Sequence, residues 1–226
     1  MSMIQAETTL KCRESSGARA LVRLFELARA GLDVASCGRT GCEPFRRSMR
    51  LGFPELDGVT IGELVKLAET EFPLELRAPF EDTDSIAGAV WRGSDVFDGA
   101  DDGLVMLRFD AGTLDLPMHV HERSDRFIVA LKGSGFFHVS NETLEVFSGA
   151  DLRAIPVQAG DAIAFTRGLM HTFSSPMTTL VLLSYHAPLI ELDDPGQYTL
   201  PSFVWTPRMG QSFARESACA RSAEVR

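Results

Sequence analysis

The sequence predicts a mainly β protein, an antiparallel sandwich or barrel of the jelly-roll kind with a small helical segment in front of it. Past Pro79, short runs of Val, Ile, Leu and Phe alternate with turn residues: Ala89 to Arg92, Leu104 to Asp110, Arg126 to Lys132, Gly135 to Val139, Leu144 to Phe147, Ala162 to Thr166, and Thr179 to His186. No helical pattern separates these runs, which argues for antiparallel neighbours rather than crossover units. Before Pro79 the apolar residues instead recur at three and four positions, the helical spacing. No internal repeat of roughly 20 to 50 residues is evident, which disfavours propellers and solenoids.

Taken in order, residues 1–16 carry little pattern and read as a lead-in. From Ala18 onward, Leu21, Leu24, Phe25, Ala28 and Leu32 form one apolar stripe, with Arg19, Arg23, Glu26 and Arg29 elsewhere around the helix and Gly31 as its expected stop. Residues 33–58 read as a loop with a short helix around Phe45 to Leu51, because Gly38, Gly41 and Pro44 interrupt any longer element. A second helix is expected from Thr60. There Thr60 and Glu63 form a capping box, Leu64, Leu67, Ala68 and Phe72 supply the stripe, and Pro73 ends it. The expected organisation is a helical segment over 1–80, a barrel over 81–190 and a C-terminal extension over 191–226 whose end, beyond Trp205, is mobile or loosely docked.

Composition narrows the function classes. The chain has 226 residues, 45% hydrophobic and 23% charged, enough for one large domain or one domain with an appendage. A formal charge of −9 opposes binding to phosphate backbones, and no run of Lys and Arg interleaved with aromatics offsets it. The N-terminus has neither a basic region nor an apolar stretch of signal type, and no run reaches the roughly 18 apolar residues of a membrane helix. A cytoplasmic protein with no nucleic-acid or membrane partner is expected. The four cysteines, Cys12, Cys37, Cys42 and Cys219, are too few and too irregular for a disulfide framework. Cys37 and Cys42 read as free thiols, with a local metal or redox role as the lesser alternative.

The chemistry concentrates in Pro117-Met-His-Val-His-Glu-Arg-Ser-Asp125. On an extended segment His119 and His121 share a face with Cα atoms roughly 7 Å apart, so two imidazoles can converge on one ion. Asp125 lies near enough to return a carboxylate. By itself the dipeptide spacing is a weak signal, since two packed or exposed histidines fit it as well.

The company of these residues strengthens the signal. Gly112, His119, His121, Asp125 and Gly133 stand in the pattern Gly-x6-His-x-His-x3-Asp-x7-Gly, followed by Gly160-x5-Thr166-x-Gly168-x2-His171. This pair of motifs resembles the cupin family over about residues 85–190. The resemblance implies a double-stranded β-helix in which His119, His121 and His171 bind a metal and Asp125 stands where the family usually has Glu. Thr166 and Ser175 depart from the usual Pro and Asn.

Three imidazoles suit Fe, Mn, Ni, Cu or Zn and leave coordination positions open. Asp is shorter than Glu by one methylene, about 1.5 Å. Asp125 therefore has two readings, a metal ligand or a group hydrogen-bonding a ligand histidine or Arg126. Glu122 ranks below it, because alternation turns it from His121. Gly133 fits a tight hairpin, and Gly168 a turn that points His171 inward.

Asp125 and His138 are the candidate acid/base groups, His138 having an equally good reading as an outward residue between aromatic neighbours. One of Tyr185 and His186 should face inward. Arg108, Arg126 and Arg167 flank the site as candidate contacts for a substrate carboxylate, and Phe109, Met118, Phe127, Phe136, Phe165 and Phe173 are candidates for its apolar wall.

The leading expectation is a metal-dependent enzyme of dioxygenase type, an oxidoreductase acting on a small organic substrate. The alternatives are a non-catalytic metal or ligand sensor working through the N-terminal helices on a protein partner, and a metal-assisted isomerase or lyase. A homodimer is implied by the resemblance.

Overall fold

The computed structural model of the chain describes residues 16–36, 48–52, 75–76, 86–95 and 97–210. The helix expected from Thr60 and all four cysteines lie outside these residues. Helix α1 spans Ser16–Ser36. Among the described residues ten strands follow: β1 Ser48–Gly52, β2 Glu75–Leu76, β3 Ile86–Arg92, β4 Gly103–Phe109, β5 Asp125–Lys132, β6 Ser134–Ser140, β7 Arg153–Gln158, β8 Asp161–Phe165, β9 Met170–Ser174 and β10 Leu180–Ala187. They form a seven-stranded sheet in the order β1-β8-β5-β10-β4-β3-β2 and a three-stranded sheet in the order β7-β6-β9. Every pairing is antiparallel. The predicted jelly-roll architecture is the observed one.

Strand alternation decides where everything goes, because adjacent side chains on a strand face opposite sides. On the large sheet Met106, Phe127, Val129, Leu131, Ala162, Ala164, Leu183 and Tyr185 face outward and pack against Leu24, Phe25, Ala28 and Leu32 of α1. Their neighbours Phe109, Ile128, Ala130, Ile163, Phe165, Leu180 and Leu182 face the interior, where they meet Phe137, Val139 and Phe173 of the small sheet. Both faces of the central strands are thus buried, which is why these segments read as nearly continuous apolar runs instead of alternating with polar residues.

Helix α1 is amphipathic at the predicted positions but runs through Gly31 to Ser36. Burial of Leu32 outweighs the roughly 1 kcal/mol that a glycine costs inside a helix. Phe25 stands edge-on to Tyr185 and Phe97, with ring centroids 5.6 and 5.7 Å apart. Arg29 donates to Asp102 Oδ2 from Nε at 2.8 Å and Nη2 at 2.7 Å, and Tyr185 donates its hydroxyl to the same oxygen.

Several local expectations change. Residues 48–52, inside the expected short helix and loop, are a strand because they add to the edge of the large sheet beside β8. Leu144 to Phe147 form a turn: the Glu142 carboxylate accepts from Ser148 N at 2.9 Å and Gly149 N at 3.0 Å, closing the loop over a buried Phe147. Strands β7 and β9 lie where no run was assigned. Of the segment past Trp205, residues 206–210 are described and docked: Arg208 N donates to Leu114 O at 2.9 Å, and its guanidinium pairs with Asp115; residues 211–226 lie outside the described residues. Gly133 joins β5 to β6 at φ 78°, and a Cβ there would sit 1.9 Å from Thr179 O, so the hairpin requires glycine.

Candidate metal centre

The two histidine motifs meet through the backbone. His119 N donates to His171 O at 3.0 Å and His171 N to His119 O at 2.9 Å, an isolated antiparallel bridge between them. Gly168, at φ 80°, donates its N–H to His121 O at 2.9 Å, locking the turn before His171 onto the first motif. Alternation along 118–121 sends Met118 and Val120 into a separate apolar cluster with Phe147, Met170 and Trp205. His119 and His121 are thereby turned the other way, into the barrel.

There the three rings converge. Centroids of His119 and His171 lie 4.5 Å apart, those of His119 and His121 5.0 Å, and those of His121 and His171 5.2 Å. One ring nitrogen from each lies within 4.8 Å of the others. His119 and His171 are buried, and His121 opens partway to the pocket mouth.

In each ring Nδ1 bonds a backbone carbonyl: Pro117 O at 2.9 Å for His119, Gln197 O for His121, and Leu169 O at 2.9 Å for His171. A carbonyl only accepts, so Nδ1 carries the proton and Nε2 is the lone-pair nitrogen in the neutral ring. Burial pushes the His119 imidazole down to about 4. Burial holds the His121 and His171 imidazoles well below the usual range, aided by neighbouring positive charge. Three neutral, carbonyl-oriented imidazoles match the chemistry of a transition-metal site.

The structure places Asp125 elsewhere. As the first residue of β5 it shares the outward face of Phe127 and Val129, and Arg167 binds its carboxylate from backbone N at 2.7 Å, Nε at 3.2 Å and Nη2 at 3.0 Å. It is not among the residues that converge with the histidines. Glu122 is exposed.

Arg126 occupies the inward position instead. It is 1% exposed and lines the pocket with the three histidines. Its Nη1 donates to Ser124 Oγ and to Asp125 O at 3.3 Å, and its Nη2 to Gln197 Oε1 at 3.4 Å. Burial lowers its guanidinium to about 9, which leaves it charged at neutral pH.

His186 also faces the pocket, and Tyr185 faces α1. His138 does not reach it. On β6 it turns to the outer side of the small sheet, where Nε2 bonds Ser174 Oγ at 2.8 Å and the ring lies 5.6 Å from Trp205. Of the other arginines, Arg108 bonds Asp110 and Arg167 holds Asp125. Phe109, Phe165 and Phe173 line the pocket; Met118 and Phe127 belong to other clusters, and Phe136 is half-exposed.

Ser184, Gln197 and Tyr198 complete the lining and were not anticipated. Ser184 and His186 share a face of β10, which alternation could have shown. Gln197 and Tyr198 arrive from a distant loop that leaves no local signal. The space bounded by the lining residues, open solvent at the mouth included, is about 590 Å³.

Fold and site together define a double-stranded antiparallel barrel with a three-histidine cluster in its interior. Residues 100–187 match the family model described as Cupin. No curated protein matches the chain.

Among solved structures it is similar to a mutant of Bacillus subtilis oxalate decarboxylase at 15% identity, covering 48% of this chain and 27% of that one, with a TM-score of 0.37. A similar likeness is to an oxalate oxidase, at 19% identity over 50% of this chain and 55% of that one, TM-score 0.38. A third is to the capsular polysaccharide assembling protein CapF of Staphylococcus aureus, at 11% identity over 58% and 35%, TM-score 0.44. The chain therefore spans about a quarter of the decarboxylase and about half of the oxidase. Among the described residues no helix is long and apolar enough to cross a membrane.

Proposed function

We propose that the chain is a metal-dependent enzyme, an oxidoreductase of dioxygenase type, that acts on a small organic substrate inside the barrel. A divalent transition ion, one of Fe, Mn, Ni, Cu or Zn, would be held by His119, His121 and His171 through their Nε2 atoms. The observation that carries this reading is the convergence of the three rings with every Nδ1 tied to a carbonyl. When bound, such an ion has coordination positions left for substrate and O2, or polarises a substrate oxygen.

The chain's own residues do the rest. Pro117, Leu169 and Gln197 fix the rings through their carbonyls. Phe109, Phe165 and Phe173 keep water from the inner wall. Burial keeps His119 unprotonated well below neutral pH, so protons do not compete for its Nε2.

Elemental analysis of protein purified without chelator tests the centre. Bound metal in the wild type and its loss in a His119→Ala, His121→Ala double variant are expected, and equal metal content in both would remove the proposal. Oxygen uptake screened against small acids, phenols and thiols tests the reaction.

A second reading, a metal or ligand sensor, has one observation in its favour. Tyr185, bound to Asp102, which pairs with Arg29 of α1, is the chain neighbour of pocket-lining His186. Persistent inactivity together with metal-dependent protease sensitivity of α1 would select it.

A further inference from the structure

The pocket contains a charge that the fold does not use. Arg126 is buried, yet among the described residues it has no ion-pair partner. The carboxylate that acts on it electrostatically, Asp125, is itself held by Arg167. Its own hydrogen bonds go to a hydroxyl, a carbonyl and an amide oxygen, none of them charged.

Burying an unpaired guanidinium costs several kcal/mol, so such groups are ordinarily paired or serve a ligand. A second orphan lies beside it. His186 is the Cα partner of Arg126 across β10 and β5, is 3% exposed, and lines the same pocket. Its Nε2 bonds Ser184 Oγ at 3.0 Å, while its Nδ1 has no hydrogen-bond partner.

No acidic side chain is among the residues lining the cavity, whose remaining wall is largely apolar: Leu107, Phe109, Leu116, Phe165 and Phe173. A divalent ion on three neutral imidazoles would add two positive charges to the one on Arg126. Among the described residues the pocket then has no negative group to balance them.

We infer that the pocket takes a small carboxylic acid with an apolar body, bound as its carboxylate by the Arg126 guanidinium and the His186 Nδ1–H. A guanidinium presents parallel donors that match the two oxygens of a carboxylate. With His186 neutral and Ser184 donating to its Nε2, Nδ1 carries a proton for the same group. The single charge of the guanidinium matches one carboxylate, and with the His186 N–H it supplies donors for two oxygens, fewer than a phosphate dianion asks for. The apolar side chains of the wall accept the body of the acid. This assignment deepens the proposed function, naming the substrate class of the same site.

The test is calorimetric titration of the full chain, zinc-loaded and metal-free, with two matched pairs: propionate against propionamide, and benzoate against benzamide. At least one acid is expected to bind roughly tenfold or more tightly than its amide, the worth of a charged hydrogen bond. Arg126→Gln should bring the pair to within about twofold, and Arg126→Lys should keep part of the preference. Equal binding of acid and amide by the wild type, binding of neither pair, or a preference that survives Arg126→Gln would overturn the assignment.

If Arg126→Gln does not fold, the wild-type pairs and Arg126→Lys decide. Metal content measured on the same samples separates the two claims. Protein that takes up no metal yet prefers acids through Arg126 removes the metal centre and keeps the carboxylate site. Metal-loaded protein without the preference removes the carboxylate site alone.

Discussion

At the scale of single residues, a one-position offset on β5 decides what the pocket contains. Asp125 and Arg126 are neighbours in sequence but face opposite sides of the sheet, so one is bound by Arg167 and the other is sealed in with the histidines. Asp125→Ala is therefore expected to leave metal content unchanged and to lower stability by about 1 kcal/mol through loss of the partly exposed Arg167 contacts. A fall in metal content like that of the histidine variants would put the carboxylate back among the ligands.

His138 makes a different prediction, because burial pushes its imidazole down to about 4 while the unfolded value stays near 6.5. Between those values the unfolded chain binds more protons. Stability is then fully present above about pH 6.5 and is lost as pH falls towards 4, by on the order of 3 kcal/mol from this group. Denaturant midpoints of His138→Gln should fall less steeply over that window than those of the wild type, and identical slopes would contradict the burial. The sequence showed which histidines cluster, since two motifs constrained them. It pointed to Asp125 because a period of two counted from His121 puts residue 125 on the histidines' face; residues 121–124 are not strand and break that count, so Arg126 is the one that lines the pocket.

At the scale of elements, α1 is part of the barrel's core. Its stripe covers the outward face of β5, β8 and β10, and Phe25 is wholly buried against Tyr185 and Phe97. Phe25→Ala should cost about 3–5 kcal/mol, and Tyr185→Phe, which leaves Asp102 one donor short, about 1–2 kcal/mol. Urea unfolding of both variants, with limited proteolysis at α1 as the local readout, checks the order. A Phe25→Ala variant as stable as the wild type would mean that the helix does not close this face.

The stripe of α1 and the apolar runs of β4, β5, β8 and β10 were legible because burial writes a period into the sequence. Strands β1 and β7 carried no such mark. They sit at sheet edges, where backbone pairing with β8 or β6 makes the strand and side-chain pattern contributes little. Leu144 to Phe147 misled for the opposite reason: the run is apolar, but Glu142 closes it into a turn.

At the scale of the whole molecule, the expected boundary at 190/191 separates residues that the structure joins. Val120 and Thr199 exchange backbone hydrogen bonds at 3.0 and 2.9 Å, Met118 N donates to Trp205 O at 2.9 Å, and Arg208 N reaches Leu114 O. The chain from 197 to 208 thus runs beside 114–120 and backs the segment that carries His119 and His121. It contributes in two separable ways. Gln197 holds the His121 ring by its carbonyl, and Trp205 fills the cluster of Met118, Phe147 and Met170.

Trp205→Ala should then cost about 3–5 kcal/mol of stability and leave metal stoichiometry intact at a temperature where the variant is folded. Ending the chain at Pro195 removes both contributions, so metal binding should weaken together with stability, because the His121 ring loses the acceptor that sets its tautomer. Metal affinity and melting temperature measured on the two variants distinguish the roles. A truncated chain that binds metal as tightly as Trp205→Ala would show that the carbonyl of Gln197 does not orient the centre, and that the C-terminal segment serves the core alone.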